Sequence, residues 1–348
     1  MSKKVLVAMS GGVDSSVAAY LLKEQGEEVT GLTMCLGSEG GGAARCCGAD
    51  AIADARRVCE KLQISHFVFD YAREFEDKVI GKYVTEYGRG RTPNPCVDCN
   101  RYLKFGTLLA QAEALGFDYL ATGHYAQIVR EEGFFLKRPR DRVKDQTYFL
   151  YALAPAALEK ILFPLASLTK DEVRAIAGKA GLPVAEKRES QDLCFVDKHN
   201  HADFMARRIP GSKPGPIVDR QGKQLGTHRG IAHYTIGKRS GLGIAHPVPL
   251  YVLSLDAAAN RVVVGEKGAL KARGLVAEDV HRLVEDWPPE VSAKIRYRRK
   301  AAPCDVVFAQ GKITTLFKEE EEAITPGQAV VYYHGDYVLG GGTIAAVL

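Results

Sequence analysis

Over the first 130 residues, short apolar runs alternate with amphipathic stretches. Val5, Leu6 and Val7 make a strand-length apolar run, and the periodic segment VAAYLLKEQG follows it and stops at Gly26. EEVTGLTMCL reads as a second strand. Residues 50–62 place Ile52, Ala55, Val58, Cys59 and Leu62 on one helical face. HFVFDYA is a third strand, FEDKVIGKYVTEYGRG a helix closed by glycine, LKFGTLLAQAEALG another helix, and FDYLATG a fourth strand. Strands separated by helices predict parallel βαβ units in a doubly wound α/β sheet, whose ligands sit at the carboxyl ends of the strands. Residues 145–187 read as mainly helical, with Thr169 and Glu172 spaced as a capping box.

The pattern changes near residue 205. A stretch rich in Gly, Pro and turn pairs, KPGPIVDRQGKQLGTHRG, comes first. From residue 249 short strand-like runs recur at regular spacing: PLYVLSLD, RVVVGE, GLVAEDV, VSAKIRYR, PCDVVFAQ, KITTLFK and QAVVYYHGDYVLGGGTI. These predict two small β domains, the last a β-barrel. The expected division is a doubly wound α/β domain at 1–205, a small β-rich domain at 206–267 and a barrel at 268–348. Residues 37–48, GSEGGGAARCCG, read as a mobile glycine-rich loop.

A length of 348 residues with 46% apolar side chains suits several cores. The net charge of +5 is compatible with a polyanionic partner. No run of about eighteen apolar residues occurs, so no membrane span is expected. The N-terminus lacks an apolar export segment with a cleavage site, so a cytoplasmic location is expected. Eight cysteines (Cys35, Cys46, Cys47, Cys59, Cys96, Cys99, Cys194, Cys304) in such a chain point away from a disulfide framework and toward catalysis or metal binding for some of them.

Between the first strand and the first helix lies Ser10-Gly11-Gly12-Val13-Asp14-Ser15-Ser16. The two glycines permit positive φ and close backbone approach. The hydroxyls and the helix N-terminus complete a seat for phosphate. No lysine follows the glycines, so this is not a Walker A loop, and GxGxxG is absent. An ordinary glycine turn is the bland reading, and the full Ser, Gly, Asp, Ser pattern outweighs it. SGGxDS resembles the pyrophosphate loop of the ATP pyrophosphatase superfamily. Those enzymes cleave ATP between the α and β phosphates and adenylate a carbonyl oxygen.

Residues 91–101, RTPNPCVDCNR, carry Cys96 and Cys99 as a C-x-x-C pair, and Pro93 and Pro95 predict a rigid, non-helical loop. Cys194 stands in ESQDLCF. Arg91, Arg101, Lys187 and Arg188 could give a thiolate its positive setting. C-x-x-C is also a common metal or cluster half-site. Cys35, Cys59 and Cys304 fall on core faces, where packing explains them. Cys46 and Cys47 fit metal binding and simple exposure alike.

AMSGGVDSSVAA, TPNPCVDCNRYLKFG, LATGHYA, KDQTYFLY, SQDLCFV, HRGIAHYTIGKRSGLGI, KIRYR and TPGQAVVYY follow one another in an order that resembles the bacterial tRNA-specific 2-thiouridylase family over nearly the whole chain. The resemblance implies ATP-dependent 2-thiolation of the wobble uridine of tRNA, with Mg²⁺, release of AMP and pyrophosphate, and a sulfur donor (a cysteine desulfurase relay or sulfide). Carried over by position, Ala8, Met9, Ser10, Gly11, Gly12, Val13, Asp14, Ser15, Met34 and Gly123 would contact ATP, with Asp14 acting on metal-bound pyrophosphate. Cys99 would be the first catalytic cysteine and Cys194 its partner, which carries sulfur as a persulfide. Asn94, Pro95 and Cys96 would line the target uridine. His124, Lys144, Asp145, Gln146, Arg296, Tyr297, Arg298 and Gln328 would touch tRNA. The better-known form of the family has an aspartate where this chain has Cys96. Cys96, Cys99 and Cys194 would then suit a [4Fe–4S] cluster with one iron open to sulfide, and both sulfur routes stay open.

Each carried-over residue has a bland alternative. His124 would be a turn histidine, Asp145 a cap, the basic run LKRPRDRVK a solvated face, and KIRYRRK an edge strand guarded by charge. Two rival functions also fit the loop: a small-molecule amidating ligase of the same superfamily, and a non-catalytic RNA-binding protein on a relic nucleotide fold. ATP–pyrophosphate exchange separates enzyme from binder, and RNA-dependent AMP formation separates thiolation from amidation.

Overall fold

The first seven strands are β1 (Lys4–Ala8), β2 (Glu28–Cys35), β3 (Ser65–Asp70), β4 (Tyr119–Thr122), β5 (Gln127–Arg130), β6 (Phe134–Lys137) and β7 (Ile161–Leu162). In the computed structural model, which describes residues 2–37, 49–188, 194–196, 201–209 and 213–348, five of these form one sheet in the order β3-β2-β1-β4-β7. Every pairing in it is parallel. The expectations for the glycine-rich loop beyond Gly37, and for Cys46 and Cys47, lie outside the described residues.

Alternation along the strands explains why helices cover both faces. Val5, Val7 and Val29 bury into one core with Val17, Ala18 and Leu22 of α1 (Val13–Glu24), with Ala55, Val58 and Cys59 of α2 (Ala49–Leu62), and with Val173 and Ala177 of helix Lys170–Lys179. Leu6, Leu32 and Leu120 bury into the other core, against Phe75, Val79, Tyr83, Leu103 and Leu108. Side chains of period two on each strand thus feed two cores, and the doubly wound α/β expectation holds.

Several local expectations need correction. Residues 91–101 are not wholly non-helical: a helical run starts at Pro95 and continues through Cys99–Leu108, which is wound more widely as a π-helix. Proline at the first helical position gives up an N–H that would have no partner there, and the Asn94 side chain caps the turn by accepting from the Cys96 N–H at 3.2 Å. Residues 145–187 hold just one α-helix, Lys170–Lys179. The rest is short 3₁₀ turns at Thr147–Phe149 and Pro155–Lys160, plus β7, a two-residue strand too short for any periodic signal. Thr169 and Glu172 do form the capping box.

The β-rich half continues with β8 (Gly215–Val218), β9 (Gln224–His228), β10 (Tyr251–Asp256) and β11 (Arg261–Gly265), a four-stranded sheet in the order β10-β11-β8-β9. Six more strands follow: β12 (Lys271–Arg282), β13 (Val291–Lys294), β14 (Ala302–Ala309), β15 (Lys312–Glu322), β16 (Ala329–His334) and β17 (Tyr337–Val347). They run β12-β15-β14-β13-β16-β17, and a further β12–β17 pairing closes the barrel. Ala277, Ile313, Val330, Tyr332 and Ile344 fill it. The KIRYRRK segment is a strand only as far as Lys294 and then turns. The β5–β6 hairpin, far earlier in the chain, joins the barrel sheet through Tyr337 and Lys137.

Candidate active site

β1 delivers the chain to a loop in which Gly11 is forced to be glycine, while Gly12 takes an ordinary negative φ of −101° in place of the positive φ that was expected to be open to both. Gly11 has φ +67°, and a Cβ there would stand 2.3 Å from the Ala51 carbonyl oxygen at the start of α2. Gly123, just after β4, would carry its Cβ 2.5 Å from the Ser15 nitrogen. The Ser10 N–H donates to Ser15 Oγ at 3.2 Å, and the Ser16 hydroxyl donates to the Gly12 carbonyl at 2.8 Å. Gly12 is the cap of α1 and offers no side-chain acceptor, so the helix N-terminus faces its ligand with backbone N–H groups. Met9 and Ser15 are buried, Ala8 and Met34 half-buried.

Three residues that local motif reading did not assign to this loop complete it. Lys170, first residue of the capped helix, donates to Asp14 Oδ1 at 2.7 Å, and the Tyr125 hydroxyl donates to the same oxygen at 3.0 Å. Lys187 donates to the Gly11 carbonyl at 2.9 Å and pairs with Asp54. Burial alone would raise the Asp54 carboxyl, but hydrogen bonds from Lys187 and Arg57 hold it below the usual range. The loop therefore sits between two lysines, a setting for an anion.

The cysteine turn lies nearby. Cys96 is exposed and Cys99 buried. Cys194 is half-buried and packs against the core that contains Cys99. Its neighbour Phe195 meets Phe75 and Tyr83 edge-on, with ring centroids 5.6 and 5.3 Å away. Burial, then Tyr87, then Cys96 push the Tyr83 phenol up, and Tyr83 lines the same cavity wall as Cys96. Among the described residues, no group of three or more His, Cys, Asp or Glu side chains is gathered for a metal ion. The cluster expectation for Cys96, Cys99 and Cys194 thus finds no ready donor set, since one thiol faces the cavity and another lies in the core.

A cavity of about 2640 Å³ joins these parts. Ser10 to Asp14, Asn94 to Cys96, Lys144 to Gln146, Lys187, Arg296 to Arg298 and Gln328 all line it. Its wall carries twelve lysines and arginines against four aspartates, which favours a polyanion over a small neutral substrate. His124 is not in this wall. It packs between Phe105 and Phe163, lies 2.7 Å from Thr122 Oγ1, and burial pushes its imidazole well below the ordinary value. Asp145 accepts the Thr147 N–H and hydroxyl at 2.9 and 2.6 Å, which is the capping role. Arg296 donates through Nη2 to the carbonyls of Ile236 and Ala323 at 3.1 and 3.0 Å and so braces the wall. The Tyr297 ring meets that of Phe149 at a 40° tilt, with centroids 4.5 Å apart.

The matches to known families run in the same order as these parts. A family model described as tRNA methyl transferase HUP domain matches residues 3–198, a tRNA methyl transferase PRC-barrel domain 202–266, and an aminomethyltransferase beta-barrel domain 272–344. The tRNA-specific 2-thiouridylase MnmA 1 of Syntrophus aciditrophicus is 57% identical, with 100% of this chain and 94% of that protein covered. The tRNA-specific 2-thiouridylase MnmA of Geobacter metallireducens is 50% identical, with 99% and 98% covered. The chain belongs to the tRNA-specific 2-thiouridylase family.

Within this 2-thiouridylase, Cys59 and Cys304 lie in hydrophobic cores away from the cavity. Burial pushes the Cys59 thiol up to about 11 and the Cys304 thiol up to about 12, so both stay protonated in their cores. Among the described residues, no helix of the 2-thiouridylase is long and apolar enough to cross a membrane.

Proposed function

We propose that this 2-thiouridylase uses ATP to replace the C2 oxygen of the tRNA wobble uridine with sulfur, in the cytoplasm. The observation that carries the reading is that a phosphate loop and a cysteine turn open into one large basic cavity. In the first step the uridine C2 oxygen attacks the α-phosphorus, the bond to the β-phosphate breaks, and pyrophosphate leaves. The backbone of residues 10–14 and the α1 N-terminus seat the phosphates, while Lys170 and Lys187 offset charge. Asp14, held by Lys170 and Tyr125, would hold a magnesium ion, which would neutralise charge on the triphosphate.

The adenylated uridine has AMP as its leaving group. A persulfide on Cys194, loaded by a persulfide-donating relay, attacks C2 through its outer sulfur, and the C2–O bond breaks to release AMP. The Cys99 thiolate then attacks the Cys194 sulfur. That frees 2-thiouridine and leaves a Cys99–Cys194 disulfide, which a dithiol reductant reopens. Among the described residues no group of three metal-ligating side chains is gathered, which favours the persulfide route here. We assign the ATP and sulfur chemistry to residues 1–205, and the grip on tRNA to the wall supplied by 206–267 and 268–348.

The test is nucleoside mass spectrometry of unmodified tRNA incubated with the protein, ATP and a persulfide donor. We expect 2-thiouridine that requires all three. Full ATP turnover with unmodified tRNA at the end would refute the assignment.

A further inference from the structure

The C-terminal barrel grips the cysteine turn from both sides. Upstream of Cys96, Arg91 Nη1 pairs with Glu278 Oε1 on β12 at 2.8 Å, and Arg91 Nη2 donates to the Ile344 carbonyl on β17 at 3.3 Å. The Thr92 N–H donates to the Pro326 carbonyl at 2.9 Å, and Gln328 Nε2 donates back to the Thr92 carbonyl at 2.8 Å. Gly327 lies so close that a Cβ would stand 2.7 Å from the Thr92 nitrogen. Downstream of Cys99, Arg101 Nη1 donates to Asp279 Oδ2 on β12 at 2.9 Å. Asp279 sits at φ +48°, a left-handed position, so the barrel backbone itself bends to present this carboxylate. Its charge is secure there, since His281 and Arg101 hold the carboxyl well below the usual range.

The phosphate loop is braced differently. Its bracing comes from Lys170, Lys187, Tyr125 and Gly123, all from the nucleotide-binding half. The cysteine turn is held from the nucleotide-binding half as well, where Lys82 pairs with Asp98 at 2.7 Å and Glu86 with Arg91 at 2.8 Å, and the barrel carboxylates on Arg91 and Arg101 add a hold from the other side.

We infer that Glu278 and Asp279 are positioning residues for the sulfur step: from the barrel, through Arg91 and Arg101, they fix the turn that carries Cys99. The inference rests on the role proposed above for Cys99. A sulfur transfer between two fixed thiols is sensitive to displacements of about 1 Å. Loosening the clamp should therefore leave adenylation running while thiolation fails, and it should uncover a cysteine that is now buried.

The experiment uses the full chain with Glu278→Gln and Asp279→Asn, singly and together. Both changes keep side-chain size and remove charge, and asparagine tolerates the left-handed backbone at 279. Three quantities are read: tRNA-dependent AMP release, 2-thiouridine formed per AMP, and the rate at which iodoacetamide alkylates Cys99, followed on its peptide by mass spectrometry. For the double variant we expect AMP release within two-fold of wild type, a fall of at least ten-fold in 2-thiouridine per AMP, and a rise of at least ten-fold in Cys99 alkylation. Unchanged alkylation overturns the clamp whatever happens to turnover. So does unchanged 2-thiouridine per AMP, or an equal loss of AMP and 2-thiouridine, which would mark Glu278 and Asp279 as general stability or RNA-binding residues. If the wild-type protein forms neither product, the proposed function fails, while Cys99 alkylation still decides whether the barrel holds the turn.

Discussion

Gly11 has almost no freedom to change. Alanine at φ +67° costs about 1 kcal/mol in backbone strain alone, and its Cβ would also meet the Ala51 carbonyl at 2.3 Å. Gly11→Ala should lower the denaturant midpoint of unfolding and abolish AMP release; a wild-type midpoint with normal AMP release would mean the loop is not built as described. Asp14→Ala should leave the fold intact, since Asp14 is a third exposed, yet end AMP and pyrophosphate release. Appearance of ADP in either protein would point to a different cleavage of ATP. At this scale the glycines, Asp14 and the C-x-x-C pair were legible in the sequence because each belongs to a compact local motif. Tyr125, Lys170 and Lys187 were not, because their partners in the loop lie 111, 156 and 176 residues away.

Helix Lys170–Lys179 links local sequence to the site most plainly among the elements. Its capping box fixes the first turn, and the first residue of that turn holds Asp14. Thr169→Ala should cost about 1 kcal/mol of stability and raise the KM for ATP, because Lys170 loses its fixed start. Urea unfolding and steady-state kinetics check both, and an unchanged KM would detach the cap from the site. The capping box, the four long strands of the first sheet and the barrel strands were readable because their periodicity is complete within each segment. The proline-bearing segment at 91–101 misled, since proline both breaks helices and begins them, and Asn94 decides which. The β5–β6 hairpin joins the barrel through a pairing no local pattern can announce.

Across the whole molecule, a basic cavity spanning the nucleotide-binding half and both β units makes tRNA affinity an electrostatic quantity. Raising salt from 50 to 200 mM should weaken tRNA binding roughly ten-fold or more, as counterions compete for the phosphates; a flat salt response would remove the phosphate contacts. Stability should also depend on pH. Burial first, and neighbouring cations second, push His124 and His201 below their ordinary value, and His233 likewise. The unfolded chain binds protons near pH 6.5 that these native histidines refuse, so stability is present above about pH 6.5 and falls with acidification. Urea midpoints should be lower at pH 5.5 than at pH 7.5, and the reverse order would contradict this burial. Whether ATP is spent on a tRNA oxygen is decided by the nucleotide product formed with and without unmodified tRNA. AMP and pyrophosphate are expected in equal amounts, only when tRNA is present, with one 2-thiouridine formed per AMP once a persulfide donor is supplied. ADP as the product, or AMP formed at the same rate without RNA, would contradict it.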